Sequence, residues 1–182
     1  MFFNNPSDIF DYLLGFLNKG DAVADATVGN GNDTLKLSNA VGKSGRVYGF
    51  DIQSAAIESA KKKEYVFENV QFINATHSDA DKYIKEELAA AVFNLGYLPG
   101  GDHSIATKAE STISAIEKFM RMLKPNGYIF IEIYRGGDSG FSESNAVLEF
   151  LKGIDYKKFN VLLTDYINRP KNPPMVCVIQ KR

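Results

Sequence analysis

The 182-residue chain predicts a doubly wound α/β domain, and three observations predict it. Helix and strand signals alternate along its length, one internal strand is apolar almost throughout, and the last two strands follow each other with no helix between them. Alternation places a parallel sheet between two helical layers, whereas strands joined without a helix must pair antiparallel. Five parallel strands and a C-terminal antiparallel pair make seven in all. One domain over 1–182 is expected, because a single core reaches this size without splitting.

Each element has its own signal. An amphipathic helix opens the chain over about 7–18, capped by Ser7; Asp8, Asp11 and the lack of a basic start argue against an export or membrane-spanning segment. The run 21–27, DAVADAT, is a short strand that ends on Asp25 and a Gly-rich turn. A helix over about 32–40, a strand over 46–52 and a helix over about 54–64 follow. Strand three is VQFIN, 70–74, and a helix near 79–87 leads to LAAAVFNL, 88–95. That run is apolar up to Asn94, as a strand buried on both faces should be, and marks the sheet centre. The loop GYLPGGDHS leads to a long helix over roughly 108–123, and Pro125-Asn126-Gly127 turns into strand five, 128–134. After a helix over about 143–152 come the two closing strands, 159–168 and 175–181. Five parallel strands ended this way are the layout of the class I methyltransferase fold, a Rossmann-like sheet; an all-parallel nucleotide-binding sheet would need one more helix.

Composition narrows the partners. With 45% apolar and 24% charged residues the chain is an ordinary globular protein, which excludes disorder, collagen and coiled coil. The net charge of −1 lacks the basic excess of proteins that wrap duplex nucleic acid, so any RNA contact must be local. The single cysteine, Cys177 in MVCVI, reads as a small core residue. His77 and His103 are too isolated to form a metal site, so no metal is expected. Nothing points to a membrane, and a cytoplasmic location is the default.

Asp25-Ala26-Thr27-Val28-Gly29-Asn30-Gly31-Asn32-Asp33-Thr34 lies where the first strand meets its helix, the position at which doubly wound folds bind nucleotides. Asp51 follows at the end of strand two, where a carboxylate can accept both hydroxyls of an adenosine ribose. Thr34 stands where the dinucleotide fingerprint has Gly or Ala, which disfavours a nicotinamide cofactor, and no Gly-Lys-Ser/Thr ending supports ATP. A tight turn with Asp33 in the first helical turn also occurs in folds that bind nothing. The turn, Asp51 and the sheet ending together favour a bound cofactor. Candidate cofactor residues are Asp25, Thr27, Gly29, Asn30, Gly31, Asp33, Thr34, Asp51, Gln53, His77, Ser78, Asn94 and Gly96. Of these, His77 and Ser78 could flank an adenine, although Ser78 or Asp79 could equally cap the next helix.

Strand four ends in Asn94-Leu95-Gly96-Tyr97-Leu98-Pro99-Gly100-Gly101-Asp102, facing the place where that cofactor would sit. Methyl transfer needs a nucleophile with a free lone pair held in line with the methyl group, and the Asn94 amide oxygen can orient an amine N–H without carrying charge. An alkyl amine must first lose a proton, and Asp102 is a candidate for that base or for clamping the substrate. Asn94, Asp102 and Tyr97 are therefore the catalytic candidates. Tyr97, Gly100, Gly101, Asp102, Tyr134, Arg135, Asn168 and Arg169 are the substrate-binding ones, with the tyrosines able to stack on an unpaired base. Lys108, Arg135, Arg169 and Lys171 could form a local phosphate rim.

DATVGNGNDT, FNLGYLPGGD followed by Ser104, and INRPKNPP resemble, over nearly the whole chain, the rRNA methylase family of S-adenosylmethionine-dependent methyltransferases. The resemblance implies S-adenosylmethionine as cofactor. It also implies an RNA substrate, since members similar to a bacterial tRNA 5-aminomethyl-2-thiouridine methyltransferase methylate that wobble uridine in the tRNA anticodon stem-loop. A homodimer is implied as well. Where relatives read Tyr-His-Gly-His after strand five, this chain has Tyr134-Arg135-Gly136-Gly137, so no histidine role carries over. An rRNA or small-molecule amine methyltransferase, and a non-catalytic cofactor- or RNA-binding module, are the competing expectations.

Overall fold

The computed structural model describes residues 3–62, 68–95, 109–134, 137–170 and 173–182, except the side chains of 137–143. The order is α1 (Pro6–Leu14), β1 (Ala22–Asp25), α2 (Asn32–Val41), β2 (Arg46–Asp51), α3 (Ser54–Lys61), β3 (Val70–Asn74), a 3-10 turn (His77–Asp79), α4 (Ala80–Tyr83), β4 (Leu88–Leu95), α5 (Ala109–Met122), β5 (Leu123–Ile133), α6 (Gly137–Lys152), β6 (Phe159–Thr164) and β7 (Met175–Lys181). The strands form one sheet in the order β3-β2-β1-β4-β5-β7-β6. β1 to β5 are parallel; β7 is antiparallel to both β5 and β6. This is the predicted doubly wound layout. The chain winds outward from β1 to β3 and then returns to β4, so the order reverses between β1 and β4, where such sheets bind ligands.

The core has a layer on each face. On one, Phe50, Phe93 and Ile131 pack against Ala115, Ile116 and Phe119, the apolar stripe of α5; on the other, Val23, Val92 and Phe130 meet Ile9 and Phe10 of α1 and Leu37 and Val41 of α2. β4 explains its own composition: Ala91 and Phe93 feed one layer, Ala90 and Val92 the other, so only small or apolar side chains fit. Burying a phenylalanine such as Phe93 stabilises by about 1.5–3 kcal/mol.

Several boundaries differ from the sequence reading, each for a local reason. α1 is capped by Asn5, not Ser7: Asn5 Oδ1 accepts from the Asp8 amide at 3.1 Å, the Asp8 carboxylate accepts from the Asn5 amide at 3.3 Å, and Pro6 fills the first helical position. Ser7 instead accepts from Lys36 Nζ at 2.7 Å. α1 stops at Leu14, because the Phe16 and Leu17 amides bond three residues back in a tightened turn. The expected helix over 79–87 shrinks to a 3-10 turn and α4, as Ile84 turns extended to bury itself in the core. β5 starts at Leu123, ahead of the expected 128. Its pairing with β4 jumps from Leu88–Leu123 to Ala90–Tyr128, so Pro125-Asn126-Gly127 is a bulge with Asn126 at φ 63°. α6 begins at Gly137, earlier than expected, and β6 ends at Thr164, short of residue 168. Among the described residues no helix is long and apolar enough to cross a membrane.

Candidate active site

The site is built where β1, β2, β4 and β5 end. After β1 the backbone turns through Gly29 (φ 50°) and Gly31 (φ 72°), a left-handed region that side chains rarely adopt, and Gly31 is the N-cap of α2. A Cβ on Gly31 would lie 2.8 Å from Ala60 Cβ of α3, so the turn is packed for glycine alone. Asp51 braces it from the end of β2: Oδ2 accepts from the Gly29 amide at 2.9 Å and Oδ1 from the Gln53 amide at 2.9 Å. Each oxygen keeps a second lone pair for a ligand hydroxyl.

A second network joins the turn to β4. Thr27 Oγ1 accepts from the Asn94 amide N–H at 2.8 Å, and Asn94 Nδ2 donates to Asp33 Oδ2 at 2.7 Å. A carboxylate only accepts, so this bond fixes which end of the amide is nitrogen and leaves the Asn94 Oδ1 pointing elsewhere. Beneath them, Asp25 accepts from the Thr27 amide at 3.0 Å and from Thr34 Oγ1 at 2.5 Å. Asp25 and Thr34 are wholly buried, and their bond ties the end of β1 to the first turn of α2 beneath the glycine turn. Burial first, and then Asp33 and Asp51 nearby, push the Asp25 carboxyl up to about 7 against the Thr34 and Thr27 hydrogen bonds.

The other candidates fall in different places. His77 is buried, its Nδ1 lies 3.2 Å from the Ala26 carbonyl and its ring meets Phe93 edge-on. Desolvation lowers its pKa, so the ring is neutral at physiological pH, and Nε2 has no hydrogen-bond partner among the described residues. Thr76 caps the 3-10 turn, its side chain accepting from the Ser78 amide, and Asp79 is the N-cap residue of the following helix α4, without a side-chain cap bond. Asn30, Tyr134, Asn168 and Arg169 are exposed. Arg169 donates to the Asn4 carbonyl and lies 4.3 Å over the Tyr166 ring. Gly96, Tyr97, Gly100, Gly101, Asp102, His103, Lys108, Arg135 and Lys171 lie outside the described residues. Cys177 is buried and its thiol is pushed up to about 12, leaving it protonated at neutral pH. No group of metal-ligating side chains occurs among the described residues.

One residue escaped the sequence reading. Glu132 of β5 stands in register with Asn94 of β4, on the sheet face that carries Val92 and Phe130 lower down. It is half-buried, and burial raises its pKa, opposed by a hydrogen bond from Tyr134 and assisted by Asp33. The signal was a lone carboxylate in the run YIFIEIY, otherwise suited to burial on both faces.

Asp25, Asp33, Asp51 and Glu132 thus gather at one end of the sheet, around a glycine turn. A cluster of carboxylates favours a cationic ligand over one bearing phosphates. A polar hollow of about 590 Å³, between Gly20, Lys43, Arg46, Asn69 and Glu86, opens at the opposite end, where the strands begin, and takes no part.

This strand order with its antiparallel β7, and a carboxylate-braced glycine turn over β1, defines a class I methyltransferase fold. The profile of the family described as Putative rRNA methylase matches residues 47–180, and the chain belongs to that family. A structure described as a putative rRNA-methylase from Clostridium thermocellum is 48% identical, with each chain fully covered and a TM-score of 0.97. A putative methyltransferase from Streptococcus mutans, solved in complex with SAH, is 36% identical with full coverage of both chains and a TM-score of 0.91. The chloroplastic tRNA (mnm(5)s(2)U34)-methyltransferase of Arabidopsis thaliana is 37% identical over 91% of this chain; the match spans 65% of that relative's length.

Proposed function

We propose that this protein methylates an amine carried on RNA: the aminomethyl group of 5-aminomethyl-2-thiouridine at the tRNA wobble position, giving methylaminomethyl, in the cytoplasm. S-adenosylmethionine supplies an activated methyl group on a sulfonium. The cluster suits this cofactor, which is cationic at sulfur and has no phosphate, because Asp33, Asp51 and Glu132 are carboxylates rather than lysines and arginines. Asp51 would hold the ribose, Gly29, Asn30 and Gly31 the amino-acid part, and Gln53, His77 and Ser78 the adenine side, with Asp33 and Gly96 completing the wall. The name of the Arabidopsis relative supports the choice of RNA position.

The observation that carries the reading is the bond from Asn94 Nδ2 to Asp33. It presents the amide oxygen as a fixed acceptor for a substrate N–H, which orients the nitrogen lone pair before attack. Tyr97, Gly100, Gly101 and Asp102 would bind the base; Tyr134, Arg135, Asn168 and Arg169 would meet the anticodon loop, a small contact consistent with the net charge of −1. We place a second copy of the chain at the β6 edge, where Leu162 is 64% and Leu163 48% exposed.

Mass spectrometry of wobble nucleosides from a deletion strain tests the substrate: aminomethyl-2-thiouridine should accumulate at the expense of its methylated form. An unchanged ratio, with labelled methyl appearing instead in rRNA or in small amines, would replace the tRNA assignment. Asn94→Ala should lose turnover by about 10²-fold while S-adenosylhomocysteine still binds by calorimetry. A non-catalytic binding module would show no turnover in either form.

A further inference from the structure

We propose that Glu132 is the base that receives the proton of the ammonium substrate, placed for that task by its register with Asn94. The inference rests on the amine-methylation reading above. Three observations converge on it. Glu132 and Asn94 occupy paired positions on adjacent strands, so their side chains leave the sheet on one face at the strand ends. The Asn94 amide nitrogen is committed to Asp33, so its oxygen is the end left to accept from a substrate N–H. Tyr166 lies within electrostatic reach of Glu132, and its shielded hydroxyl has no hydrogen-bond partner among the described residues.

The groups that face Glu132 set its behaviour. Asp33 approaches from α2, Tyr134 from the end of β5 and Tyr166 from the segment after β6, with Asp8 of α1 and Arg169 grouped around Tyr166. Burial and the negative charge of Asp33 both favour the protonated acid, while Tyr134 favours the carboxylate. A carboxylate held in this way is a stronger base than one in water. Its charge also draws the ammonium to the oxygen that receives the proton.

The Glu132 carboxylate takes one proton from R–CH2–NH3+, becoming the neutral acid and leaving R–CH2–NH2. The nitrogen lone pair forms the new bond to the methyl carbon as that carbon's bond to sulfur breaks, the bonding pair staying on sulfur. The products are R–CH2–NH2–CH3+ and the neutral thioether S-adenosylhomocysteine. Glu132 then returns its proton to solvent.

The test compares wild type, Glu132→Gln and Glu132→Asp on an anticodon stem-loop carrying 5-aminomethyl-2-thiouridine. Folding and cofactor binding are read independently, by thermal melting and by calorimetry with S-adenosylhomocysteine. Glu132→Gln should lower kcat by about 10²–10⁴-fold at pH 7 with S-adenosylhomocysteine affinity within about threefold. Its rate should climb tenfold per pH unit toward pH 10, where the free amine forms without help; Glu132→Asp should retain part of the activity. A Gln variant with kcat close to wild type, or one impaired equally at every pH, overturns the role of Glu132. A wild-type protein inactive on this substrate but active on another RNA group overturns the amine reading, and the base assignment with it.

Discussion

Asp25 has no solvent contact; one of its oxygens accepts from the Thr27 amide of the turn and the other from Thr34 Oγ1 of α2. Its carboxyl is raised from 3.8 to about 7, so between those values the folded chain binds more protons than the unfolded one. Its contribution to stability is therefore complete below about pH 4 and is lost as pH rises through 7. Asp25→Asn keeps an acceptor for the Thr27 amide and removes the titration. Urea unfolding at pH 5 and pH 8 should show wild type losing on the order of 2 kcal/mol more than the variant; parallel losses would remove the argument. The polar side chains here were all visible in the sequence as types and spacings. Their division of labour was not: Asp51 stays partly exposed while Asp25 is wholly buried, because a four-residue strand, Ala22–Asp25, buried throughout takes its last side chain inside with it. Glu132 shows the converse, since only pairing of β4 with β5 brings it to Asn94, from 38 positions away in the chain.

The element that most directly governs the site is the glycine turn leading into α2. Gly31 combines a positive φ with contact against α3, so a methyl group there meets both dihedral strain and Ala60. Gly31→Ala should cost about 1–3 kcal/mol by chemical unfolding and weaken S-adenosylhomocysteine binding; a variant with unchanged stability would show that α3 yields easily. Asn5 belongs to a different class of effect. Its cap on α1 lies at the surface, so Asn5→Ala should lower stability by about 1 kcal/mol without altering cofactor affinity. Long elements with one dominant periodicity, such as β4 and α5, were legible to within a residue or so. The short 3-10 turn and α4 were not, since the burial of Ile84 decides where the helix breaks, and that depends on a core assembled from distant strands.

At the scale of the whole molecule, β6 is one of the two edge strands of the sheet, with Val161, Leu162 and Leu163 all open to solvent and Ile167 just beyond at 93% exposure. Apolar side chains on both faces of an edge strand, beside unpaired backbone groups, favour pairing with an identical strand. Leu162→Lys combined with Leu163→Lys should convert a dimer into a monomer by light scattering while melting stays within a few degrees. A wild-type protein that is monomeric at high micromolar concentration would sink the assignment.

The sequence by itself determined the doubly wound class, the antiparallel ending, the glycine turn and the type of chemistry its carboxylates and amide suit, because these follow from periodicity, connection length and residue type within a short window of chain. Tertiary structure alone decided which carboxylates are buried, which oxygens already have partners, and that Glu132 stands beside Asn94. Burial and electrostatic coupling depend on distances between residues far apart in the chain, and those distances exist only once the sheet has closed its order.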